Sequence, residues 1–375
     1  MIIGVDIRPM AGLRTGVQEY TEQILAFMVK LAPEHKFKLF FSSFREPAPD
    51  RPWMHVPNVQ LIARRIPNNL LFFLGGVFGY PFINDLIGGA DIFFSPHFFM
   101  APLSGSCRRV TTFHDLSYLR FPEFLTWRKR WWHTIEMNPA NQARFSNQII
   151  AVSESTKTDL VHYYNIDPAN ISVVHSGTVL SRPDNETLIQ FKQSHELPER
   201  FVLHVGTLEP RKNIIGLIGA FNILKDQLGF EDVELVLIGK EGWQFQNILK
   251  EIQKSPYKSY IRHLGHIDGD LAPYYSLATV CACPSFFEGF GFPVLEAMAC
   301  GTPVIVSANS SLPEVAGDAA LYINPYNVSE IAEAMGVILS EPAIRSLMIK
   351  KSLVQASKFT WENAARQTLN ILTRE

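Results

Sequence analysis

Residues 285–301 read SFFEGFGFPVLEAMACG. Glu288 and Glu296 stand with seven residues between them; Gly289 and Gly291 lie in the gap, and Pro293 follows. The run before it, TVCACPS (279–285), is apolar and β-branched at its start, which predicts a strand. Pro293 suits the first position of a helix, because the N–H that proline lacks has no partner there in any case. Gly301 then stops the helix and Thr302-Pro303 opens the next strand. Strand, glycine loop and helix start together form an anion site, where backbone N–H groups and the positive end of the helix dipole face one spot. A carboxylate accepts two hydrogen bonds at once, which suits a vicinal diol such as ribose. One acid on each side of a diphosphate would hold a nucleoside at one end and a sugar at the other. The bland alternative makes both acids solvated surface groups.

The pattern around this stretch is repetitive. Apolar strand-like runs open the chain at Ile2 to Ile7 and recur at 37–41, 91–95, 109–115 and 147–153, with helical stretches between most of them. Pro, Gly, Ser, Asp and Asn cluster at SGTVLSRPDNET (176–187), as in a linker. The alternation restarts at FVLHVG (201–206), VELVLIG (233–239), SYIRHLG (259–265), TVCACPS and TPVIVS (302–307). Strands alternating with helices predict parallel sheets covered on both faces, so the fold class is α/β with two Rossmann-like domains. The expected boundaries are 1–180 and 181–358, with a final helix, 359–375, packing back toward the N-terminal domain. Ligands of such sheets bind beyond the carboxyl ends of the strands, and two facing domains would make a cleft.

Composition narrows the function classes. With 375 residues, two cores are expected rather than one. Hydrophobic residues make up 47% and charged residues 19%, which is globular, and a formal charge of −2 gives no overall attraction to nucleic acid. Cys107, Cys281, Cys283 and Cys300 form no C-x-x-C pair and read as buried free thiols in a reducing cytoplasm. N-x-S/T triplets start at Asn170, Asn185, Asn309 and Asn327, but the opening MIIGVDIRP places an acid where a secretion signal needs an apolar core. The longest apolar run, LLFFLGGVFGYPFI (70–83), is shorter than the roughly 20 residues of a spanning helix. It reads either as a core helix or cleft wall, or as a surface that rests on a bilayer and receives a lipid-linked substrate.

EGFGFPVLEAMACGTPVI resembles the nucleotide-binding signature of the retaining GT-B glycosyltransferases, in particular the large family 4 group, and the likeness extends from the glycine loop near Gly12 to Trp361. The resemblance implies that Glu296 binds the donor ribose and that Glu288 contacts the donor sugar. The backbone of Gly289, Phe290, Gly291 and Phe292 would meet the sugar hydroxyls and the diphosphate. HVGTLEPRKN (204–213) resembles the loop that supplies an Arg and a Lys to that diphosphate. Lys212 matches the Lys, whereas Thr207 stands where the Arg is usual; Arg211 is the candidate to share the charge, and Asn213 is a candidate N-cap. His114, in TTFHDLSYLRFPE (111–123), matches a histidine that touches the donor sugar near the reaction centre, and Asp115 is placed to orient its ring. Gly16, in LRTGVQEY (13–20), would let backbone approach the donor phosphate or the acceptor. Gly265, His266 and Ile267, in LGHID, are candidates to hold the base through backbone groups, and IGKEGW (238–243) is a second strand-end loop.

Two other motifs carry rival readings. Asp268-Gly269-Asp270 has the spacing of a metal-binding pair, but it precedes a helix pattern and reads as a turn and N-cap. The family implies no metal and no cofactor. WRKRWW (127–132) reads as a half-buried helix, a sugar-stacking surface or a contact for anionic lipid.

The resemblance therefore implies a metal-independent hexosyltransferase that retains anomeric configuration, in surface-polysaccharide biosynthesis. GDP-mannose is the first expectation for the donor, with UDP- and dTDP-sugars as alternatives. The implied acceptor is a glycan, lipid-linked, met in the cytoplasm at the inner face of a membrane, with peripheral membrane contact an option. Nucleic acid is not an expected partner, and the sequence leaves the oligomeric state open. The rivals are a non-catalytic nucleotide-sugar-binding partner of an active transferase, a sugar-nucleotide epimerase on a similar fold, and a dehydrogenase. The last lacks its G-x-G-x-x-G fingerprint.

Overall fold

Short runs of Val, Ile, Leu and Phe, each closed by a polar or glycine-bearing loop, form strands buried on both faces. Such strands pair in parallel because the chain crosses back over a face of the sheet between them, in most cases through a helix. The computed structural model describes residues 1–12, 15–132 and 137–374, so Leu13 and Arg14 of the predicted first loop lie outside the described residues, as do the side chains of Lys129 and Arg130. The chain divides into two units. One comprises Met1–Gly177 with Thr360–Glu375, and the other Thr178–Phe359.

The N-terminal unit holds a seven-stranded parallel sheet: β1 (Ile2–Asp6), β2 (Lys36–Ser42), β3 (Val59–Arg64), β4 (Ile92–Ser95), β5 (Arg108–Phe113), β6 (Gln148–Ala151) and β7 (Ile171–Val173). Their spatial order is 3-2-1-4-5-6-7. Helix Gly16–Leu31 turns Tyr20, Ile24, Leu25 and Met28 inward, and helix Trp361–Thr373, at the end of the chain, packs against it. Tyr20 and Trp361 meet ring to ring at 5.8 Å.

The C-terminal unit repeats the plan with six parallel strands: β8 (Phe201–Val205), β9 (Glu234–Ile238), β10 (Ile261–His263), β11 (Val280–Cys283), β12 (Val304–Ser307) and β13 (Ala320–Ile323). Their order is 10-9-8-11-12-13. All four cysteines are buried and free. In both sheets the winding direction reverses once, between β1 and β4 and between β8 and β11, and these are the points where loops part and leave a crevice.

Three strands were not among the expected runs. β3 is an edge strand with most of its side chains exposed, its apolar residues interrupted by Gln60 and closed by Arg64, and β7 and β13 are short. The core-helix reading of residues 70–83 is also overturned. Helix Asn68–Phe78 buries Leu71, Phe72 and Gly75 and leaves its other face in solvent.

The ends of β8 and β9 approach so closely that only glycine fits. A Cβ on Gly239, whose φ is 152°, would sit 1.9 Å from the carbonyl oxygen of Gly206. Gly239→Ala should therefore lower the urea midpoint of unfolding by an amount equivalent to more than about 2 kcal/mol, the cost of overpacking plus backbone strain. An unchanged midpoint would contradict this packing.

Candidate active site

The reversal point of the C-terminal sheet brings together the loop after β8 and the loop after β11. The first carries Glu209, Arg211 and Lys212 in a short 3-10 turn, and the second carries Ser285 to Gly291. Their backbones are joined where the amide of Phe286 donates to the carbonyl of Arg211 at 2.9 Å. Three side chains then converge on one carboxylate. Lys212 Nζ lies 2.6 Å from Glu288 Oε1, Ser285 Oγ donates to the same oxygen at 2.7 Å, and an Arg211 NH group donates to Oε2 at 3.0 Å. Glu288 and Lys212 are both buried.

Burial by itself would raise the Glu288 carboxyl. The ammonium of Lys212 and the guanidinium of Arg211 overcome that and hold it down at about 2. Of roughly four acceptor positions on a carboxylate, these bonds use three, leaving Oε2 with room for one more donor. Arg211 is shared further: its Nε donates to Glu209 at 2.9 Å and its NH1 to the Phe287 carbonyl at 2.7 Å. It lies between two carboxylates, so its charge is already matched within the protein, whereas among the described residues Lys212 pairs with Glu288 alone.

The glycine loop is pinned from the far side by residues that sequence reasoning missed. Ser311 Oγ donates to the carbonyls of Glu288 and Phe290, both at 2.9 Å, and Ser310 Oγ accepts from the Glu288 amide. Gly291 has φ 104° and begins helix Phe292–Ala299, with Leu312 Cδ2 2.9 Å from where a Cβ would stand. Gly289 and Phe290 are buried beside it and Phe292 is half-buried. On the helix, Glu296 accepts from the hydroxyl of Tyr275 at 2.7 Å. Tyr275 is fully buried, so the ring fixes the direction of the carboxylate. No spacing rule pointed to Tyr275, because it reaches Glu296 from a helix, Ala272–Leu277, that precedes β11.

His204 is another such residue. It is buried in β8, its Nδ1 lies 2.9 Å from the Ala282 carbonyl, and burial, with the charge of Lys212 adding, lowers its pKa to about 4. Of the remaining candidates in this unit, Thr207 is half-buried directly after β8, and Gly265 accepts from the Gly239 amide at 2.8 Å. His266 is exposed and lies 2.9 Å from Asp268, and Ile267 is half-buried. Asp270 accepts from the Ala272 amide, a turn contact, and among the described residues no group of three or more potential ligands could hold a metal ion. Asn213 takes the N-cap position of helix Ile214–Lys225 without capping it: its φ is 55° and its side chain donates to the Pro325 carbonyl instead.

In the N-terminal unit His114 follows β5. Its Nε2 lies 2.8 Å from the Pro96 carbonyl, the Tyr20 ring meets it edge-on at 4.8 Å, and His97 is 5.6 Å away. Burial lowers its pKa, so the neutral ring donates from Nε2 to Pro96 and keeps a lone pair on Nδ1. Asp115 does not orient the ring as expected: its carboxylate accepts from the amide and hydroxyl of Ser117. Gly16 is exposed at the start of helix Gly16–Leu31, where Thr15 caps the Gln18 amide.

Because Glu288 ionises lower in the folded chain than its ordinary 4.5, its stabilising contribution is complete above pH 4.5 and is lost as pH falls toward 2. His204, held neutral, adds a loss of the same sign as pH falls from 6.5 toward 4. Urea midpoints measured from pH 7 to pH 3 should fall steadily. In Glu288→Gln the part of the decline between pH 4.5 and pH 3 should shrink by about 1.5 kcal/mol, the share of that pairing lost before pH reaches 2. Equal slopes in both proteins would show that the carboxylate is not paired.

Two family models match the chain: glycosyltransferase family 4 over residues 14–182, and glycosyl transferases group 1 over residues 185–353. The O-antigen chain mannosyltransferase B of Escherichia coli is 32% identical over 278 residues, covering 70% of this chain and 69% of the relative. The serotype-specific mannosyltransferase WbdA of the same organism is 30% identical over 64% of this chain, which spans only 30% of that longer protein. Among solved structures, sucrose-phosphate synthase from Thermosynechococcus elongatus superposes with a TM-score of 0.77 at 23% identity, over 99% of this chain and 98% of that one, a likeness of fold alone. With both sheets wound alike and both halves matched, the chain belongs to the family 4 glycosyltransferases and is a hexosyltransferase of the GT-B fold.

Proposed function

We propose that the chain transfers mannose from GDP-mannose to a growing glycan of a surface polysaccharide, with retention of anomeric configuration and without a metal. The acceptor in this reading is lipid-linked and is met on the cytoplasmic face of a membrane. Two relatives are mannosyltransferases by name, one of them of O-antigen chains, which supports the sugar and the pathway class. The observation that carries the chemistry is Lys212, buried 2.6 Å from Glu288 at the reversal point of the sheet and beside a glycine loop that opens a helix.

In this reading the anomeric C–O bond loosens first and the departing diphosphate gains charge. Lys212 meets that charge together with the N-terminus of helix Phe292–Ala299. Arg211 contributes through Glu288, which it shares with Lys212, and so sets the direction of the lysine. Glu296, aimed by Tyr275, takes the ribose diol, and backbone of the 289–292 loop and of Gly265, His266 and Ile267 holds the remainder of the nucleotide sugar. Thr207 lines the diphosphate without adding charge. His114, neutral and fixed by Pro96, contacts the transferred sugar, and Gly16 lets backbone approach the acceptor. The acceptor hydroxyl enters on the face from which the diphosphate leaves, and a phosphate oxygen takes its proton.

A thermal-shift panel of GDP-, UDP-, dTDP- and ADP-sugars tests the donor, since a ligand that binds only the native state raises its stability. GDP-mannose should give the largest shift. Glu296→Ala should lower nucleotide affinity roughly tenfold or more, the loss of one bidentate diol contact. His114→Ala should leave that affinity within about twofold while slowing transfer, measured by mass spectrometry of the glycan product, by about a hundredfold. Donor binding with no transfer to any glycan would return the reading of a non-catalytic partner, and wild-type turnover by the His114 variant would remove the imidazole from the reaction.

A further inference from the structure

Helix Asn68–Phe78 and the turn after it carry no charged residue: from Ile66 to Asn84 there are nineteen residues without Asp, Glu, Lys or Arg. Leu71 and Phe72 are buried beneath it, and a Cβ on Gly75 would press on Pro102 at 2.8 Å, so the helix is seated tightly on the unit. Its outward face is equally apolar. Leu70, Phe73 and Val77 follow the i, i+3, i+7 spacing of one helical stripe, and Phe73 and Val77 are 59% and 61% exposed. Phe78 and Tyr80, at 68% and 62%, extend the patch, and the rings of Phe73 and Phe78 meet at 6.4 Å. A stripe this apolar, with its buried side already packed, stabilises nothing within the unit, and contiguous exposed patches of this kind mark contact surfaces.

Charge decides which contact. Arg64 and Arg65, both exposed, stand immediately before the run. The residues of the N-terminal unit hold 19 Lys and Arg against 16 Asp and Glu, a formal charge of +3, whereas the other unit holds 15 against 20, or −5. A second aromatic element belongs to the same neighbourhood. Phe72 under the helix and Trp132 pack in one apolar cluster, and helix Trp127–Trp131, which leads to Trp132, exposes Trp127, Trp131 and Arg128. Arginines at the edge of an uncharged apolar face, with tryptophans nearby, match the layering of a lipid surface. There the acyl region takes the apolar side chains, the interface takes indole rings, and anionic headgroups take guanidinium groups.

We propose that helix Asn68–Phe78 is a docking surface for a bilayer containing anionic lipid. Leu70, Phe73, Val77 and Phe78 enter the headgroup–acyl boundary, and Arg64 and Arg65 meet the headgroup phosphates. The inference rests on the reading of a lipid-linked acceptor only for its purpose: docking holds the N-terminal unit where such an acceptor lies. The binding itself is a separate property, read by a separate assay.

The test is flotation of the full chain with phosphatidylcholine vesicles, with and without a minority of phosphatidylglycerol, alongside sedimentation of the protein alone. Wild type should float with the phosphatidylglycerol vesicles and release as salt rises. The double variant Phe73→Asp, Val77→Asp should lose at least roughly tenfold in partitioning, and Arg65→Glu should lose less. Both positions are exposed, so the melting temperature and nucleotide-induced thermal shift should match wild type, which separates lost docking from a misfolded chain and from failure of the donor reading. Wild type that stays out of the vesicle fraction at low salt would overturn the proposal. So would a self-associating wild type that the double variant renders monomeric, since the face would then be the seat of a second copy.

Discussion

A buried carboxylate held between an ammonium and a guanidinium governs the C-terminal unit. Without Lys212, Glu288 would keep Arg211 and Ser285 but lose the ammonium on Oε1, and Lys212 without Glu288 would be a buried charge with no ionic partner among the described residues; removing one member of a buried pair costs several kcal/mol, whereas the pair with its hydrogen bonds is tolerated. The pair can exist only where two loops meet, and the loops after β8 and β11 meet because the strand order reverses between them. Ser285, Ser310 and Ser311 then fix the backbone around the carboxylate, so the glycine loop and the helix behind it inherit their geometry from one ion cluster.

Matched charge is also what makes such a site responsive. Among the described residues the Lys212 ammonium has one carboxylate as its ionic partner, and an anion of higher charge brought beside it attracts it more strongly than that carboxylate does. Arg211, bracketed by Glu209 and Glu288, is not available in that way and acts as a fixed strut. The two adjacent basic residues are thus unequal, although nothing in the letters RK distinguishes them. The distinction arises because Arg211 has Glu209 two residues before it, folded back by the 3-10 turn.

The legible parts of the sequence were those governed by local rules. The strand–glycine loop–helix unit around Gly291 could be read because proline, glycine and β-branched residues each restrict the backbone in a known way. The parallel α/β class followed from alternation alone. The solvent-facing edge strand β3 was not legible, since its apolar run, Leu61 to Ala63, is short and is flanked by Gln60 and Arg64. Nor were the partners that arrive from distant segments: Tyr275 on Glu296, Ser311 on the Glu288 loop, Pro96 on His114. These are long-range contacts, and no spacing within a motif encodes them. Asp115 shows the converse error, a neighbour in sequence whose carboxylate closes its own turn rather than serving the adjacent ring.

The chain leaves the N-terminal unit after Gly177 and re-enters it at Thr360, and these two points touch: a Cβ on Gly177 would lie 2.2 Å from the amide nitrogen of Trp361. Topologically, then, the C-terminal unit is a cassette spliced into a host whose own fold is completed only by the last helix. On a ribosome the host stays unfinished until the helix Trp361–Thr373 has emerged, because Trp361 must arrive to cover Tyr20, whereas the cassette has all its strands as soon as residue 323 has emerged. The guest can therefore fold before the host that carries it. A few residues bridging 177 to 360 would suffice to close the host without its guest.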